Sequence, residues 1–269
     1  MAATFGFDDE LSRLVESTYL TADVVEQRHT LLSRLRLEPG DRVLDVGCGP
    51  GLLACEMAAA VGAAGSVVGI DPSEAMLSLA SGRAPQPGAG AVSFRAGEAT
   101  ALQFADRSFD VVTATQVYEY VRDLPSALGQ AGRVLRAGGR LCVLDTDWGS
   151  VVWHASDPER MARVLIAWDE HLVHPHLPRR LTGLLTGAGF EVVHRSTIPL
   201  FNAGYAADTV SAGIMRLVHG FVPGHAGVTA AEADAWRDDL VSLGPDYFFS
   251  VNRYLFVAVK PSQPMGSRA

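Results

Sequence analysis

The stretch RVLDVGCGPGLLACEMA, residues 42–58, places Asp45 and three alternate glycines, Gly47, Gly49 and Gly51, directly after a short apolar run. Glycines in a strand-to-helix turn let the backbone come close to a ligand. Twenty positions beyond the last of them, Asp71 ends a second apolar run, SVVGID. A carboxylate there accepts hydrogen bonds from both hydroxyls of a ribose, a bidentate pairing. A dinucleotide site requires G-x-G-x-x-G, and here the third glycine comes one residue early, with Leu52 in the expected place. The register therefore argues against a pyrophosphate, while Asp71 suits any ribose. The plainer readings are that Gly51 permits helix–strand packing and that Asp71 caps a strand end.

These residues must be held by an alternating chain. Residues 8–36 read as one helix, closed by Pro39-Gly40. Arg42–Val46 is a strand, 51–60 a helix, and 66–70 a strand ending at Asp71. Pro72 and Ser73 open a helix through Met76. Glycine and proline make 82–91 a loop. Strands follow at 92–95 and Phe109–Thr115, then a helix at 126–135, the pair Gly138-Gly139, and a strand at 141–144. These strands are nearly continuous apolar runs, as expected of a parallel sheet covered on both faces. The second half reads as helices at 158–173 and 179–188, a strand at 191–197, helices at 206–221 and 229–243, and a last strand, Phe248–Val259. No linker or internal repeat divides the chain. The expectation is one domain over 1–269, with an N-terminal helical cap (8–40), a binding core (41–146), substrate-side helices with the last two strands (147–260), and a tail (261–269).

The run Asp45 to Gly51 resembles the first motif of class I S-adenosylmethionine-dependent methyltransferases, acid-x-G-x-G-x-G. The likeness continues in order: Asp71 with PSEAML at 72–77, AGEATAL at 96–102, RSFDVVTATQV at 107–117, and RVLRAGGRLCVLDT at 133–146. The nearest subgroup is the small-molecule enzymes that resemble the ubiquinone/menaquinone-biosynthesis C-methyltransferase. Glu98 stands where Asp is usual, and Ala137 where Pro is usual. The resemblance implies an α/β, Rossmann-like, doubly wound, mostly parallel seven-stranded sheet with helices on both faces and an added helical lid. It implies S-adenosyl-L-methionine as cofactor. Asp45, Gly47, Cys48, Gly49 and Gly51 would form the loop around its methionine end, and Asp71 would hold the ribose. Pro72 and Met76 would sandwich the adenine, with Glu98 and the Ala99 backbone at its edge. Gln116 would close over the methionine end, and Tyr19 or Arg28 would cap the cofactor carboxylate. Met76 reads equally as core, and Glu98 as a solvated loop acid.

Methyl transfer from a sulfonium needs an aligned nucleophile and excluded water, and an oxygen or carbon nucleophile gains from a base. In VYEYVRDLP, residues 117–125, Glu119 and Tyr120 stand where related enzymes carry a His pair, so Glu119 is a candidate base and Tyr120 a wall. Its plainer role is to cap the following helix. His154, beyond the fifth strand in DTDWGSVVWHASD, is the second catalytic candidate, with Trp148 and Trp153 as pocket or packing aromatics. His171, His174 and His176 in HLVHPHLPRR lack the spacing and carboxylate partners of a metal site. The helices in 198–252 read as a lid over a largely apolar acceptor, such as a polyketide, terpenoid or quinone precursor, or as extra core. A non-methylating S-adenosyl protein, such as a cyclase, and a nicotinamide dehydrogenase are the competing readings.

Bulk properties set limits. The net charge of −8 and pI near 5.4 count against a nucleic-acid partner. Three scattered cysteines suggest reduced thiols and a cytoplasmic protein. The first residues, MAATFGFDDELSRL, do not read as a signal peptide, and the apolar runs are too short or too interrupted to insert in a membrane. Oligomeric state is open.

Overall fold

The computed structural model describes residues 8–83 and 86–262. Two helices, α1 (Asp9–Tyr19) and α2 (Ala22–Leu35), precede β1 (Arg42–Val46), α3 (Leu52–Val61), β2 (Ser66–Asp71), α4 (Glu74–Ser81) and β3 (Ala91–Ala96). Then come β4 (Phe109–Thr115), a 3-10 turn at Tyr118–Tyr120, α5 (Leu124–Val134) and β5 (Leu135–Trp153). The chain continues through α6 (Pro158–Asp169), α7 (Pro178–Gly187), β6 (Glu191–Ala203), α8 (Val210–Phe221), α9 (Ala230–Ser242) and β7 (Phe248–Val259).

The strands form one sheet of order β3-β2-β1-β4-β5-β7-β6. The first five are parallel, and β7 runs antiparallel to both β5 and β6. This is the doubly wound, mostly parallel seven-stranded architecture expected. The order reverses between β1 and β4, so their carboxyl ends open a crevice. One face buries Leu128, Leu135 and Leu185 beneath α5 and α7. The other buries Leu31, Leu35 and Met57 beneath α2 and α3. A third cluster, with Trp153, Trp236, Val218 and Phe249, joins α6, α8 and α9 to the ends of β5 and β7.

Several boundaries differ from the sequence expectation. Residues 8–36 are two helices, because Thr21 turns extended as the cap of α2 and its hydroxyl donates to Thr18 O, 2.8 Å away. Pro72 precedes α4, whose cap is Ser73; the Ser73 Oγ accepts from Met76 N. The strand expected at 141–144 runs from Leu135 to Trp153, and β6 continues to Ala203. Both are lengthened by β7, which pairs with them from Val259 back to Phe249 and Phe248. The tail beyond 262 lies outside the described residues.

Candidate functional site

The bend between β1 and α3 puts Gly47, Gly49 and Gly51 at φ +66°, +50° and +76°, a region that side-chain-bearing residues rarely enter. The three do different work. A Cβ on Gly47 would stand 2.4 Å from Val117 Cγ2, whereas one on Gly49 would meet nothing within 4 Å. A Cβ on Gly51 would stand 2.8 Å from Ala80 Cβ and 2.8 Å from Phe94 Cζ. Gly51 is buried and does not line the cavity described below, so its expected place in the binding set is corrected. It lets the start of α3 pack against α4 and β3.

Asp71 holds this bend. Its Oδ2 accepts from Gly49 N and its Oδ1 from Ser73 N, both 2.9 Å away. Burial pushes its carboxyl above the usual range, the two amide bonds pull it back, and the Glu98 charge adds to the rise. Asp45 lies deeper, 2% exposed, and its Oδ1 accepts from Thr113 Oγ1 at 2.7 Å. Burial pushes Asp45 up to about 7, opposed by the Thr113 bond and reinforced by Asp71. Burial likewise raises the Cys48 thiol, so this cysteine is no nucleophile.

Above the carboxyl ends of β1, β2 and β4 opens a cavity of about 910 Å³. One end carries Asp45, Gly47, Cys48, Gly49, Asp71 and Met76. Pro72, Glu98 and Ala99 complete that end; the Pro72 and Glu98 side chains are exposed at its rim. Gln116 also lines the cavity, at φ +57°, with its backbone N–H donating to Leu144 O at 2.7 Å and its Oε1 accepting from Thr146 Oγ1. Tyr19 and Arg28 cover the cavity from α1 and α2. Arg28 is bound on the protein side, Nε to Glu56 Oε1 at 3.0 Å and Nη1 to Tyr19 O. Arg83 fastens α1 across the loop, donating to Pro50 O at 2.6 Å and pairing with Glu16.

The opposite end was less legible in the sequence. Glu119 is 1% exposed and lines the cavity, and its Oε2 accepts from Trp148 Nε1 at 3.3 Å. Burial, and then the Asp145 charge, push Glu119 well above the carboxylate range, while Arg253 and Trp148 pull it down. Asp145 is pushed up to about 7 by burial, against the Val117 N bond at 3.0 Å and the Arg253 charge. His171 also lines the cavity, stacked on Trp168 at 3.7 Å between centroids, and burial lowers it to about 3. Asp145 and Arg253 carry no expectation from the sequence, and for the histidines at 171, 174 and 176 the sequence leaves open which one reaches the pocket. Asp145 carried a usable signal, an acid at the end of an apolar strand, and so did Arg253, a lone cation within FFSVNRYLFVAV.

His154 is a correction. It is exposed, its amide is bonded to Phe248 O, and it does not line the cavity. Pairing with β7 carries β5 past the crevice before the chain reaches it. Trp148 lines the cavity, whereas Trp153 packs on Trp236 and Phe249 at 5.3 and 4.8 Å. His174 binds Val121 O and His176 faces Asp147, both away from the cavity. Of the lid helices, α8 brings Ile214 and Leu217 to the cavity and α9 packs behind it. No helix of the described residues is long and apolar enough to cross a membrane.

The residues at the glycine-loop end fit an adenosyl ligand. Open space lies where a Gly49 side chain would project, and the Asp71 carboxylate faces the same cavity beside the apolar Met76. A family model described as "Methyltransferase domain" matches residues 37–175. An uncharacterized protein of transposon TN4556 from Streptomyces fradiae is 33% identical over 260 residues, covering 93% of this chain and 71% of its own length. The 2-phytyl-1,4-naphtoquinone methyltransferase of Synechococcus elongatus is 42% identical over 123 residues, 44% of this chain and 53% of that one. The chain thus spans about half the length of this named relative. The YcgJ protein of Bacillus subtilis shares the fold at a TM-score of 0.60 and 20% identity, over 89% of this chain and 100% of that one.

Proposed function

This chain belongs to the class I S-adenosylmethionine-dependent methyltransferases, and we propose that it methylates oxygen or carbon of a small, largely apolar acceptor. Bound at the glycine-loop end, S-adenosylmethionine supplies a methyl group already activated on a sulfonium. Gly47 and Gly49 give its methionine end room against the backbone. Asp71 accepts the ribose hydroxyls with the lone pairs left over from Gly49 and Ser73. Pro72, Met76, Glu98 and Ala99 surround the adenine, with Asp45, Cys48 and Gln116 beneath the donor and Tyr19 and Arg28 above it. Glu119 is the base. A carboxylate raised by burial holds a proton more strongly than an ordinary one, so once it has released its own it is the stronger base toward a weak acid.

One observation carries this reading: a single cavity joins the glycine loop and Asp71 at one end to buried Glu119 at the other. Its volume lies at the top of the ~300–1,000 Å³ usual for small-molecule sites, as two ligands held together require. Val15, Ile214, Leu217, Trp148 and Trp168 make the walls apolar and keep water from the reacting atoms. The net charge of −8 favours a small molecule over a nucleic acid. The free thiols of Cys48, Cys55 and Cys142 suit a cytoplasmic enzyme.

The test is turnover with S-adenosylmethionine and a panel of aromatic, quinol and polyketide acceptors, read by mass spectrometry. A product heavier by one methyl supports the reading. Binding of S-adenosylhomocysteine with no methylated product from any acceptor supports a non-methylating role such as cyclisation. Binding of NADH in its place would overturn both.

A further inference from the structure

The end of the cavity opposite the glycine loop holds charged groups that the donor site does not use. Arg253, within β7, is 5% exposed and lines the cavity. Its Nη1 donates to Gln27 Oε1 on α2, at 2.5 Å, and its buried Nε has no hydrogen-bond partner among the described residues. Glu119 and Asp145 lie in its field, and Asp145 Oδ2 is also without a partner among the described residues. Tyr19 from α1 and Tyr120 from the 3-10 turn are the other titratable groups that face it. A buried guanidinium whose donors are incompletely paired is costly, and a ligand oxygen that accepts from its cavity-facing side is correspondingly favoured.

The charges narrow the ligand. Burial leaves the Glu119–Asp145 pair holding a proton, and its one remaining charge already balances the guanidinium, so a permanent anion such as a carboxylate finds no net positive charge to pair with. An amine would add like charge against Arg253 and offer the guanidinium no acceptor. A neutral hydroxyl that ionises only after it is seated satisfies both sides.

We propose that Arg253 anchors the acceptor by pairing with the oxygen of a weakly acidic hydroxyl, a phenol or an enol, carried on an otherwise apolar ring. The proposal rests on the methyl-transfer reading above. The acceptor O–H bond breaks toward Glu119, whose carboxylate becomes a carboxylic acid. The electron pair stays on the acceptor oxygen, against the guanidinium. From that oxygen or its conjugated carbon the pair forms the bond to the methyl carbon, and the C–S pair remains on sulfur. Asp145 is a positioning residue, accepting from Val117 N at 3.0 Å and so holding the turn that carries Glu119. Arg28 sits instead beside α3 through Glu56, at the donor end. Arg253 lies two strands beyond β4, away from the glycine loop, and reaches the elements over the donor through Gln27 on α2.

The test uses the full chain, R253M and R253K, with two readings. Calorimetry measures S-adenosylhomocysteine affinity. Absorbance then follows ionisation of 4-nitro-1-naphthol with S-adenosylhomocysteine saturating. The proposal expects donor-product affinity equal within about twofold in all three proteins. It expects the native chain to bind the naphthol as its anion, with the apparent pKa lowered by about one unit or more. R253M should lose that shift and bind the probe at least tenfold more weakly. R253K should keep part of the shift, since it retains charge without the planar fork. If R253M does not fold, the weaker probe binding of R253K at unchanged donor-product affinity carries the test. A shift that survives in R253M, native binding of the neutral naphthol or none at all, or a parallel loss of S-adenosylhomocysteine overturns the proposal. Failure of the native chain to bind S-adenosylhomocysteine overturns the methyl-transfer reading instead.

Discussion

Replacing Asp71 with Ala tests the donor site most directly. Each carboxylate oxygen already accepts one amide at 2.9 Å, from Gly49 and from Ser73, and keeps a lone pair for a ribose hydroxyl. Two hydroxyl bonds exchanged against water contribute about 0.5–1.5 kcal/mol each. Their joint loss, about 1–3 kcal/mol, weakens S-adenosylhomocysteine binding roughly 5- to 150-fold at 1.4 kcal/mol per decade. The substitution also strips acceptors from the Gly49 and Ser73 amides, so affinity alone confounds lost contacts with a loosened loop. A cycle separates them: calorimetry on native and Asp71→Ala proteins, each with S-adenosylhomocysteine and its 2′-deoxy analogue. Removal of the hydroxyl should cost about 1 kcal/mol in the native protein and close to nothing in the variant. The pH dependence gives a second reading. Burial raises the Asp71 carboxyl, and the hydroxyls need the ionised, acceptor-only form. Native affinity should therefore be full at neutral pH and fall on acidification at a higher pH than an ordinary Asp dictates. Asp71→Asn should flatten that fall. If the 2′-hydroxyl is worth as much in Asp71→Ala as in the native chain, the ribose role is wrong.

Three further outcomes follow from the geometry. Gly47→Ala places a Cβ 2.4 Å from Val117 Cγ2, so it should lower the melting temperature more than Gly49→Ala, whose Cβ meets nothing; overpacking costs about 1–3 kcal/mol, and equal melting temperatures would count against the close approach. Glu119→Gln should lower kcat by about 10²–10⁴ with S-adenosylhomocysteine affinity unchanged. Native kcat should rise with pH as the Glu119–Asp145 pair loses its proton, Asp145 being held up at about 7, and Glu119→Gln should change that limb. Asp45 is raised from 3.8 to about 7 on folding, so the folded chain holds a proton that the unfolded chain has released. Its contribution to stability is full below pH 3.8 and is lost as pH rises through about 7. Thermal melts should show Asp45→Asn reducing the decline between about pH 4 and 7, and a parallel curve would refute the buried proton.

Legibility in the sequence followed distance along the chain. Arg42–Val46 and Phe109–Thr115 were readable residue for residue, because a buried parallel strand is a contiguous apolar run. The glycine bend and Asp71 were readable because a turn conformation and a strand end are set by near neighbours. Where the sequence reading failed, the cause was a distant partner. It left Gly51 open between ligand loop and helix–strand packing, since all three glycines look alike in the chain; Ala80 and Phe94, folded beneath, favour packing. It placed His154 near the chemistry because the extent of β5 depends on pairing with β7, about a hundred positions later.

The sequence by itself therefore determined the glycine bend and the strand end that closes on it. Residues 45–51 and Asp71 carry their geometry locally, in backbone conformations that only certain residues allow. The acceptor half was decided by tertiary structure. Arg253 faces Glu119 and Asp145 only because β7 inserts antiparallel between β5 and β6, and no local pattern encodes that insertion. His171 enters the cavity, and His174 and His176 do not, because the chain after α6 is pinned by the Val173 and His174 amides to Glu119 O. Side-chain convergence across a sheet is set by strand order and register, which depend on the whole fold, whereas a turn depends on its own residues.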